Sequence, residues 1–257
     1  MAFAAEIRIL NGLPELFQAA ASEFITLAVE AIRSKGKFCV ALSGGSTPRG
    51  LYTLLANQPQ HSIPWEKIYF FWGDERHVPP DHPDSNYRMA YEAMLSKVPI
   101  PAENIFRIHA EEKDADAAAR AYEQTLTAFF HLQPGEFPRL DLILLGMGPD
   151  GHTASVFPGT RALHEKTRLV VANWVEKLNA YRFTMTLPVL NHSACAMFLV
   201  SGRDKANVLR EVLEHQTEEL PASLVRPTNG RLVWMIDQEA ASALPAQLRG
   251  GSRVANF

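Results

Sequence analysis

Short apolar runs rich in β-branched and aromatic residues alternate along this chain with longer stretches whose apolar residues recur every three or four positions. The short runs have the length and composition of buried strands, and the longer stretches have the periodicity of amphipathic helices. Strands and helices that alternate in this way are typical of βα units around a mostly parallel sheet. The pattern therefore predicts an α/β fold.

The most regular stretches predict three helices. The first spans Leu13–Lys35, and its apolar positions lie three or four residues apart. The second spans 114–130, is rich in alanine and has Asp114 at its N-cap, and the third spans 205–214. Strands are predicted at 37–42, 68–72, 140–145, 169–171, 183–187, 196–200 and 232–236.

The composition is that of one globular domain covering residues 1–257. The chain has 257 residues, of which 47% are hydrophobic and 21% charged, which is enough for a substantial core. Because the formal net charge is -3 and no long lysine or arginine block is present, neither a nucleic acid nor a membrane surface is expected as a partner. The expected partner is a small molecule, and the oligomeric state is left open between a monomer and a small homo-oligomer.

Cysteine usage and the N-terminal segment both favour a cytoplasmic location. Cys39 and Cys195 lie in apolar runs, which suits buried thiols better than a secretory disulfide framework, although a bond between them stays open. The N-terminus has no cationic segment followed by an apolar core. No run approaches the roughly 20 apolar residues that span a bilayer.

Ligands of open α/β sheets bind beyond the carboxyl ends of the strands. Residues that directly follow the predicted strands are therefore the best candidates for a functional site. Four such segments are rich in glycine, hydroxyl or charged residues. They are SGGSTPRG from Ser43, GDERHVPPDHPDSN from Gly73, GMGPDGHTAS from Gly146 and SGRDKA from Ser201.

The segment that begins at Ser43 combines glycines and hydroxyls with the start of a helix. Glycines let the backbone approach a ligand closely, and the free N–H groups of a helix start can bind phosphate. Gly45 and Gly50 fit the frame of a nucleotide P-loop, but Leu51 stands where that motif requires lysine. A monophosphate therefore fits better, and a tight turn with a helix cap is the simpler alternative. The candidate phosphate ligands are Ser43, Gly44, Gly45, Ser46 and Thr47.

The segment LLGMGPDGHTAS fits the dinucleotide-binding spacing G-x-G-x-x-G through Gly146, Gly148 and Gly151. A dinucleotide turn presents bare backbone to a pyrophosphate, whereas Pro149 lacks an N–H and Asp150 adds a negative charge. No convincing acidic residue follows at the end of the next strand to meet a ribose hydroxyl. The turn is therefore not expected to hold a nucleotide cofactor.

His152 makes the same turn a candidate catalytic site. Asp150 lies two residues before it, and its carboxylate can orient or polarise the imidazole if the turn folds back. Thr153 and Ser155 are expected to help start a helix after the turn. The alternative is a histidine in a helix-capping turn that has no catalytic role.

Two further segments supply charge at the predicted edge. Arg76 can bind a phosphate through two hydrogen bonds, and Asp74 can contact sugar hydroxyls or take a proton. A surface salt-bridge cluster is the alternative for both residues. Lys205 follows another predicted strand, and it either reaches an anion at the same edge or remains a solvated lysine at a helix start.

Two other kinds of active site are less well supported by the sequence. No metal site is expected, because His77, Asp81 and His82 lack a recognisable ligand frame. No serine nucleophile elbow is present, because Pro48 stands where the second glycine would follow Ser46.

In this order, SGGSTP, WGDERHVPPDHPDSNY, LLGMGPDGHTASVFP and SGRDKA resemble the motifs of the 6-phosphogluconolactonases. These enzymes belong to a superfamily that also holds glucosamine-6-phosphate deaminases. The resemblance extends from about Phe24 to Ile236 and implies a Rossmann-like, mostly parallel sheet flanked by helices. It implies hydrolysis of 6-phospho-D-glucono-1,5-lactone to 6-phosphogluconate, in the oxidative pentose phosphate pathway, without a metal or organic cofactor.

The resemblance also implies roles for individual residues. His152 matches the general base that activates water against the lactone carbonyl, with Asp150 beside it. Which of two arginines is the main phosphate ligand stays open. The implied substrate ligands are the 43–47 segment, Arg76, Lys205 and Arg182, with Ser85 and Asn86 at the pocket rim.

Two alternative functions remain for the same phosphate site. By the same resemblance, the deaminases place an acidic residue just before the proline that follows the D-G-H turn, where this chain has Phe157. A sugar-phosphate isomerase or deaminase would therefore lack a carboxylate. A non-catalytic phosphosugar sensor would not need Asp150 and His152 together, but no basic helix-turn-helix region flanks the core.

Overall fold

The computed structural model describes residues 4–59, 62–214, 217–249 and 253–256. The strands are β1 (Ala4–Leu10), β2 (Phe38–Leu42), β3 (Ile68–Trp72), β4 (Asp74–Arg76), β5 (Leu142–Leu145), β6 (Val170–Val175), β7 (Ala180–Met185), β8 (Cys195–Val200), β9 (Arg231–Asp237) and β10 (Arg253–Asn256). The α-helices are α1 (Leu13–Lys35), α2 (Ser46–Ala56), α3 (Asn86–Ala93), α4 (Ala115–Phe130), α5 (Leu187–Asn191) and α6 (Ala206–Glu214).

The main sheet has seven strands in the order β10-β1-β9-β8-β5-β2-β3. Its strands pair in parallel except for β10, which pairs antiparallel with β1 at one edge. Every residue of β2, β5 and β8 is buried, as expected for parallel strands whose two faces are both covered. The predicted α/β fold with a mostly parallel sheet flanked by helices is confirmed.

The first helix shows why the apolar periodicity is a sound guide to the core. α1 has the predicted bounds and buries a stripe that includes Leu16, Ala20 and Phe24. Phe24 meets Phe38 of β2 edge to face, with ring centroids 5.4 Å apart, a favoured aromatic geometry. The helix ends at Gly36, whose φ of 80° is readily adopted by glycine.

The predicted strands 169–171 and 183–187 belong to a second sheet, not to the parallel one. They correspond to β6 and β7, which form an antiparallel sheet with β4 in the order β4-β7-β6. The physical reason is the length of the connection, because only the short turn 176–179 joins β6 to β7. A parallel pair needs a crossover of a dozen or more residues. Leu187 begins α5 and does not end the strand.

The helix expected after the turn at His152 is absent, and that prediction was wrong. Thr153 and Val156 instead form an isolated antiparallel bridge. The Thr153 hydroxyl donates to the carbonyl oxygen of Gly146 at 2.9 Å, and the Ser155 hydroxyl donates to Asp74 Oδ2 at 2.8 Å. Both hydroxyls therefore stabilise the turn and its neighbours, and neither caps a helix.

Cys39 and Cys195 are both buried free thiols. They lie in β2 and β8, which are separated in the sheet by β5. Burial raises the pKa of each thiol to about 12, so both groups are unreactive near neutral pH. In the part of the chain that the structure describes, no helix has the length and hydrophobicity needed to cross a membrane.

Glu75 attaches β4 to the start of α3. This carboxylate is 2% exposed and accepts hydrogen bonds from the backbone N–H groups of Arg76, Asn86 and Tyr87 and from the Ser85 hydroxyl, at 2.7 to 3.1 Å. Burial raises the pKa of Glu75, although the backbone donors oppose the shift. The contact sets the position of β4 and therefore of the Arg76 side chain.

Replacing Glu75 with alanine should lower the free energy of unfolding by about 3 kcal/mol, because buried donors would lose their acceptor. Urea unfolding of the Glu75→Ala variant measures the change. Glu92→Ala is the matched control, since Glu92 lies in α3, the helix whose start Glu75 contacts, in an exposed pair with Arg88, and should change stability by less than about 1 kcal/mol. Equal losses in the two variants would contradict the role assigned to Glu75.

Candidate active site

A cavity of about 500 Å³ opens at the carboxyl edge of the parallel sheet. Residues that follow β2, β3, β5 and β8 all contribute to its wall, as expected for parallel strands that end at one edge. The structure therefore brings most of the predicted site residues together. Asp150 does not line this cavity itself but contacts His152, which does. The predicted residues in the wall are Ser43, Gly44, Gly45, Ser46, Thr47, Asp74, Arg76, His152, Arg182 and Lys205.

The segment after β2 presents the start of α2 to this cavity. Gly45 adopts a φ of 106° at the N-cap, and the helix begins at Ser46. The Thr47 hydroxyl lies 2.8 Å from the Ser201 hydroxyl, which follows β8. The start of α2 is thus tied to the end of β8, two strands away from β2 in the sheet, with its N–H groups available for an anion.

Ser43 supplies a buried hydroxyl that no other described residue pairs with. Its backbone is held by Tyr52, whose hydroxyl accepts from the Ser43 N–H at 3.0 Å and donates to the Ser43 carbonyl oxygen at 2.9 Å. The residue is 4% exposed, and among the described residues its side-chain hydroxyl has no hydrogen-bond partner. An unpaired hydroxyl in a cavity wall is suited to bind a polar ligand.

The turn after β5 folds back on itself and brings Asp150 to His152. Asp150 Oδ1 lies 2.5 Å from His152 Nδ1 and accepts from the His152 backbone N–H at 3.3 Å. The turn closes through the Gly148 N–H, which donates to the His152 carbonyl oxygen at 3.0 Å, and Gly151 adopts a φ of 76°. The expected contact between the carboxylate and the imidazole is confirmed.

Asp150 is held in its ionised form. Partial burial would raise the pKa of this carboxyl, but side-chain hydrogen bonds from His152 and Lys177 outweigh that effect and hold the pKa well below its usual range. Because an ionised carboxylate only accepts hydrogen bonds, Nδ1 carries the proton in this contact. A neutral imidazole in this tautomer has a free lone pair on Nε2, which is the atom a general base uses.

Phe157 forms an apolar surface against the imidazole. Its ring stacks on His152 with centroids 4.1 Å apart and an interplanar angle of 25°. The Phe157 residue is 6% exposed, and Lys177 Nζ lies 4.7 Å from the centroid of the same ring. The position that the resemblance assigned to a deaminase carboxylate is thus filled by a buried aromatic ring.

Arg76 and Arg182 face one another across the antiparallel pair β4 and β7. Burial lowers the pKa of Arg182, and the nearby Arg76 charge lowers it further. Their guanidinium groups donate to the carbonyl oxygens of Asp84 and Tyr181, and neither forms a salt bridge within the described ranges. Two neighbouring cations without a carboxylate partner favour an anionic ligand.

Lys177 and Ser201 line the cavity but were not identified from the sequence. Ser201 directly follows β8, so the rule that found Lys205 could also have found it. Lys177 lies in the turn between two antiparallel strands, where no rule about strand ends applies. No local sequence pattern identifies it.

The histidines weighed as metal ligands have other contacts. His77 Nε2 lies 2.7 Å from the Glu112 carbonyl oxygen, and His82 Nδ1 accepts from the Asp84 N–H at 3.1 Å. Within the described ranges, no group of three or more histidine, cysteine, aspartate or glutamate side chains is arranged to hold a metal ion.

The fold and the cavity together define an α/β protein with a cation-lined cavity beside a histidine–aspartate pair. The family model for glucosamine-6-phosphate isomerases and 6-phosphogluconolactonase matches residues 13–234. The chain therefore belongs to this family.

Named relatives cover most of this chain. A 6-phosphogluconolactonase of Nostoc sp. is 45% identical over 216 residues, which are 83% of this chain and 88% of that protein. A 6-phosphogluconolactonase of Synechocystis sp. is 44% identical over 221 residues, which are 85% and 90% of the two chains.

Solved structures from both branches of the family share the fold. The 6-phosphogluconolactonase from Trypanosoma cruzi has a TM-score of 0.85 at 30% identity, covering 96% of this chain and 99% of its own. A monomeric glucosamine-6-phosphate deaminase has a TM-score of 0.75 at 26% identity, covering 92% and 99%. Since both branches adopt this fold, the choice of reaction depends on side chains in the site.

The close approach of His152 to Gly148 gives a test of the turn. A Cβ atom at Gly148 would lie 2.1 Å from His152 Cε1 and 2.2 Å from Nδ1, so Gly148→Ala should displace the imidazole from Asp150. Nitrogen–proton NMR of the histidine side chains should then show loss of the hydrogen-bonded Nδ1–H signal. Gly146→Ala is the matched control, because a Cβ there meets nothing within 4 Å. An unchanged signal in Gly148→Ala would contradict this geometry.

Proposed function

We propose that this protein hydrolyses 6-phospho-D-glucono-1,5-lactone to 6-phosphogluconate, as the second step of the oxidative pentose phosphate pathway. One observation carries the proposal: His152, held by an ionised Asp150, faces a cavity rich in positive charge. The Nostoc and Synechocystis relatives, which are named for this activity, support it. The charged side chains in the described wall are one carboxylate, Asp74, and four cations, Arg76, Lys177, Arg182 and Lys205.

The substrate phosphate binds at the start of α2. There the N–H groups of Ser46 and Thr47 have no partner within the helix, and the helix dipole favours a negative charge. Lys205, which follows strand β8, and the pair Arg76 and Arg182 supply positive charge around the same cavity. Binding the phosphate away from the reacting carbon positions the lactone for attack.

His152 acts as the general base. Its Nε2 takes a proton from a water molecule, whose oxygen attacks the lactone carbonyl carbon. The tetrahedral intermediate carries an oxyanion, and the cations of the wall and the unpaired Ser43 hydroxyl are available to stabilise it. When the bond from the carbonyl carbon to the ring oxygen breaks, the imidazolium returns its proton to that oxygen. The product is a carboxylic acid that ionises and releases one proton.

Asp150 has a supporting role in this scheme. It holds the proton on Nδ1 and therefore keeps the lone pair on Nε2, the nitrogen that takes the proton. A δ-lactone is an activated ester, so one general base and good positioning are sufficient. No covalent nucleophile, metal or organic cofactor is required.

A sugar-phosphate isomerase or deaminase is the second candidate, since the family includes both reactions. That chemistry uses an additional carboxylate beside the D-G-H turn, where this chain has the buried Phe157 ring. A non-catalytic phosphosugar sensor is the third candidate, but it gives no reason for an ionised Asp150 to orient His152. The lactonase is therefore the function that the site supports best.

The remaining expectations about the protein's setting are part of the same proposal. A small sugar-phosphate lactone is the partner, a nucleic acid is not, and the protein works in the cytoplasm as a monomer or small homo-oligomer. Equilibrium sedimentation tests the oligomeric state, and fractionation of cells tests the location.

Replacing His152 with alanine should reduce kcat by about 10²- to 10⁴-fold, the usual contribution of a general base. Proton release from freshly prepared 6-phosphogluconolactone measures turnover above the spontaneous background. The Kd for 6-phosphogluconate should change little, because His152 does not hold the phosphate. Full turnover by His152→Ala would rule out this base. Ammonia release from glucosamine 6-phosphate by a wild type inactive on the lactone would favour the deaminase.

Lys205→Met should lower kcat/KM for the phosphorylated lactone by about 10- to 100-fold, because a charge-assisted contact to phosphate is lost. The same substitution should leave hydrolysis of unphosphorylated glucono-1,5-lactone nearly unchanged. Arg203→Met is the matched control, since Arg203 lies in the same short turn but is exposed and outside the cavity wall. Equal losses on both lactones would contradict phosphate binding by Lys205.

A further inference from the structure

Asp150 has a second partner that the scheme above does not use. While one carboxylate oxygen contacts His152, the other accepts a hydrogen bond from Lys177 Nζ. Lys177 lies in the turn of the hairpin formed by β6 and β7, 27 residues further along the chain. The side chain is 53% exposed, so its contact with Asp150 is made at the surface of the site.

The hairpin is part of the cavity wall and not a remote element. Its turn contributes Lys177 and Leu178, and its second strand contributes Arg182. The Lys177 ammonium also lies over the Phe157 ring on which His152 stacks. The lysine therefore contacts both groups that hold the imidazole, the carboxylate and the ring.

We propose that Lys177 is a positioning residue, which ties the hairpin to the catalytic turn and holds the Asp150 carboxylate in the orientation that directs His152. The role of His152 as general base rests on the lactonase proposal. The contact between Lys177 and the pair is independent of which reaction the site performs.

Two physical effects follow from the shared carboxylate. First, a carboxylate held through both oxygens cannot rotate freely, so its bond to Nδ1 keeps one direction. Second, the lysine charge offsets part of the Asp150 charge that stabilises a protonated imidazole. A base that binds its proton too tightly would be occupied at neutral pH and unable to activate water.

Other charged groups line the same cavity as His152. Asp74 faces the cavity from β4 and accepts from the Ser155 hydroxyl. Arg76 and Arg182 face it from β4 and β7, and Lys205 faces it from the turn before α6. Substitution of Lys177 removes a single charge and leaves these side chains chemically unchanged.

The exposed tryptophan of the hairpin can report a change in the hairpin's position through its fluorescence. Trp174 lies in β6 and is 45% exposed, while Trp65, Trp72 and Trp234 are at most 2% exposed. Trp174 meets Tyr181 of β7 with ring centroids 5.1 Å apart. Quenching of tryptophan fluorescence by acrylamide thus reports mainly on the hairpin.

The test compares Lys177→Met and Lys177→Arg with the wild type, with Lys166→Met as a control at an exposed lysine just before β6. With the lactone, Lys177→Met should lower kcat at neutral pH by about tenfold, with KM within about twofold, because positioning of the base is lost. The acidic limb of its pH–rate profile should move up by about 0.5 to 1 unit. Lys177→Arg should restore most of the rate, and Lys166→Met should match the wild type.

Two readouts do not depend on turnover. NMR titration of the His152 ring should show the midpoint rise by the same amount in Lys177→Met, and acrylamide should quench its tryptophan fluorescence more strongly. If the wild type does not hydrolyse the lactone but Lys177→Met still shows both changes, the lactonase proposal is rejected and the positioning role stands. Unchanged titration and quenching in a folded Lys177→Met variant would overturn that role, whatever the activity. A rate loss without a change in either limb of the pH profile would also overturn it.

Discussion

The site depends on the fact that β2, β3, β5 and β8 run in the same direction within one sheet. Their carboxyl ends meet at one edge, so segments that are far apart in the chain contribute to one cavity. The strands at the centre of the sheet are buried along their whole length, which makes this edge a rigid base for the turns. Small backbone shifts in those turns would otherwise separate the imidazole from the carboxylate.

Charge is distributed unevenly around this edge. Each of three carboxylates close to this edge accepts hydrogen bonds from nearby donors. Glu75 accepts from the start of α3, Asp74 accepts from Ser155, and Asp150 accepts from His152 and Lys177. The two arginines have no such partners in the described part of the chain. The described cavity wall is therefore left with an excess of positive charge.

The regular elements of the fold were largely predictable. α1 and β3 have their predicted bounds, because a buried stripe or a buried strand has a strong apolar pattern of its own. β1, β4 and β10 were not predicted, and β6 and β7 were predicted as strands without the separate antiparallel sheet that they form with β4. A strand pattern shows that a segment is extended, but pairing partners are chosen by connection length and by packing.

In the candidate site, too, some contacts could be predicted from the sequence and others could not. Asp150 and His152 are two residues apart, so a short turn brings them together and the contact could be expected from local geometry. Ser155 was expected in a helix, and the competing bond to Asp74, which is 81 residues distant, could not be inferred from neighbouring residues. Lys177 was missed for the same reason.

The sequence by itself determined which chemical groups are present, where most strands and helices lie, and to which family the chain belongs. The chemical groups and the elements follow from residue type and short-range periodicity, and the family follows from the resemblance of four local motifs to a known family. Only the tertiary structure decided that Lys177 shares Asp150 with His152, that Phe157 stacks on the imidazole, and that Arg76 faces Arg182. Such contacts depend on how separate elements pack together, and no local pattern of residues contains that information.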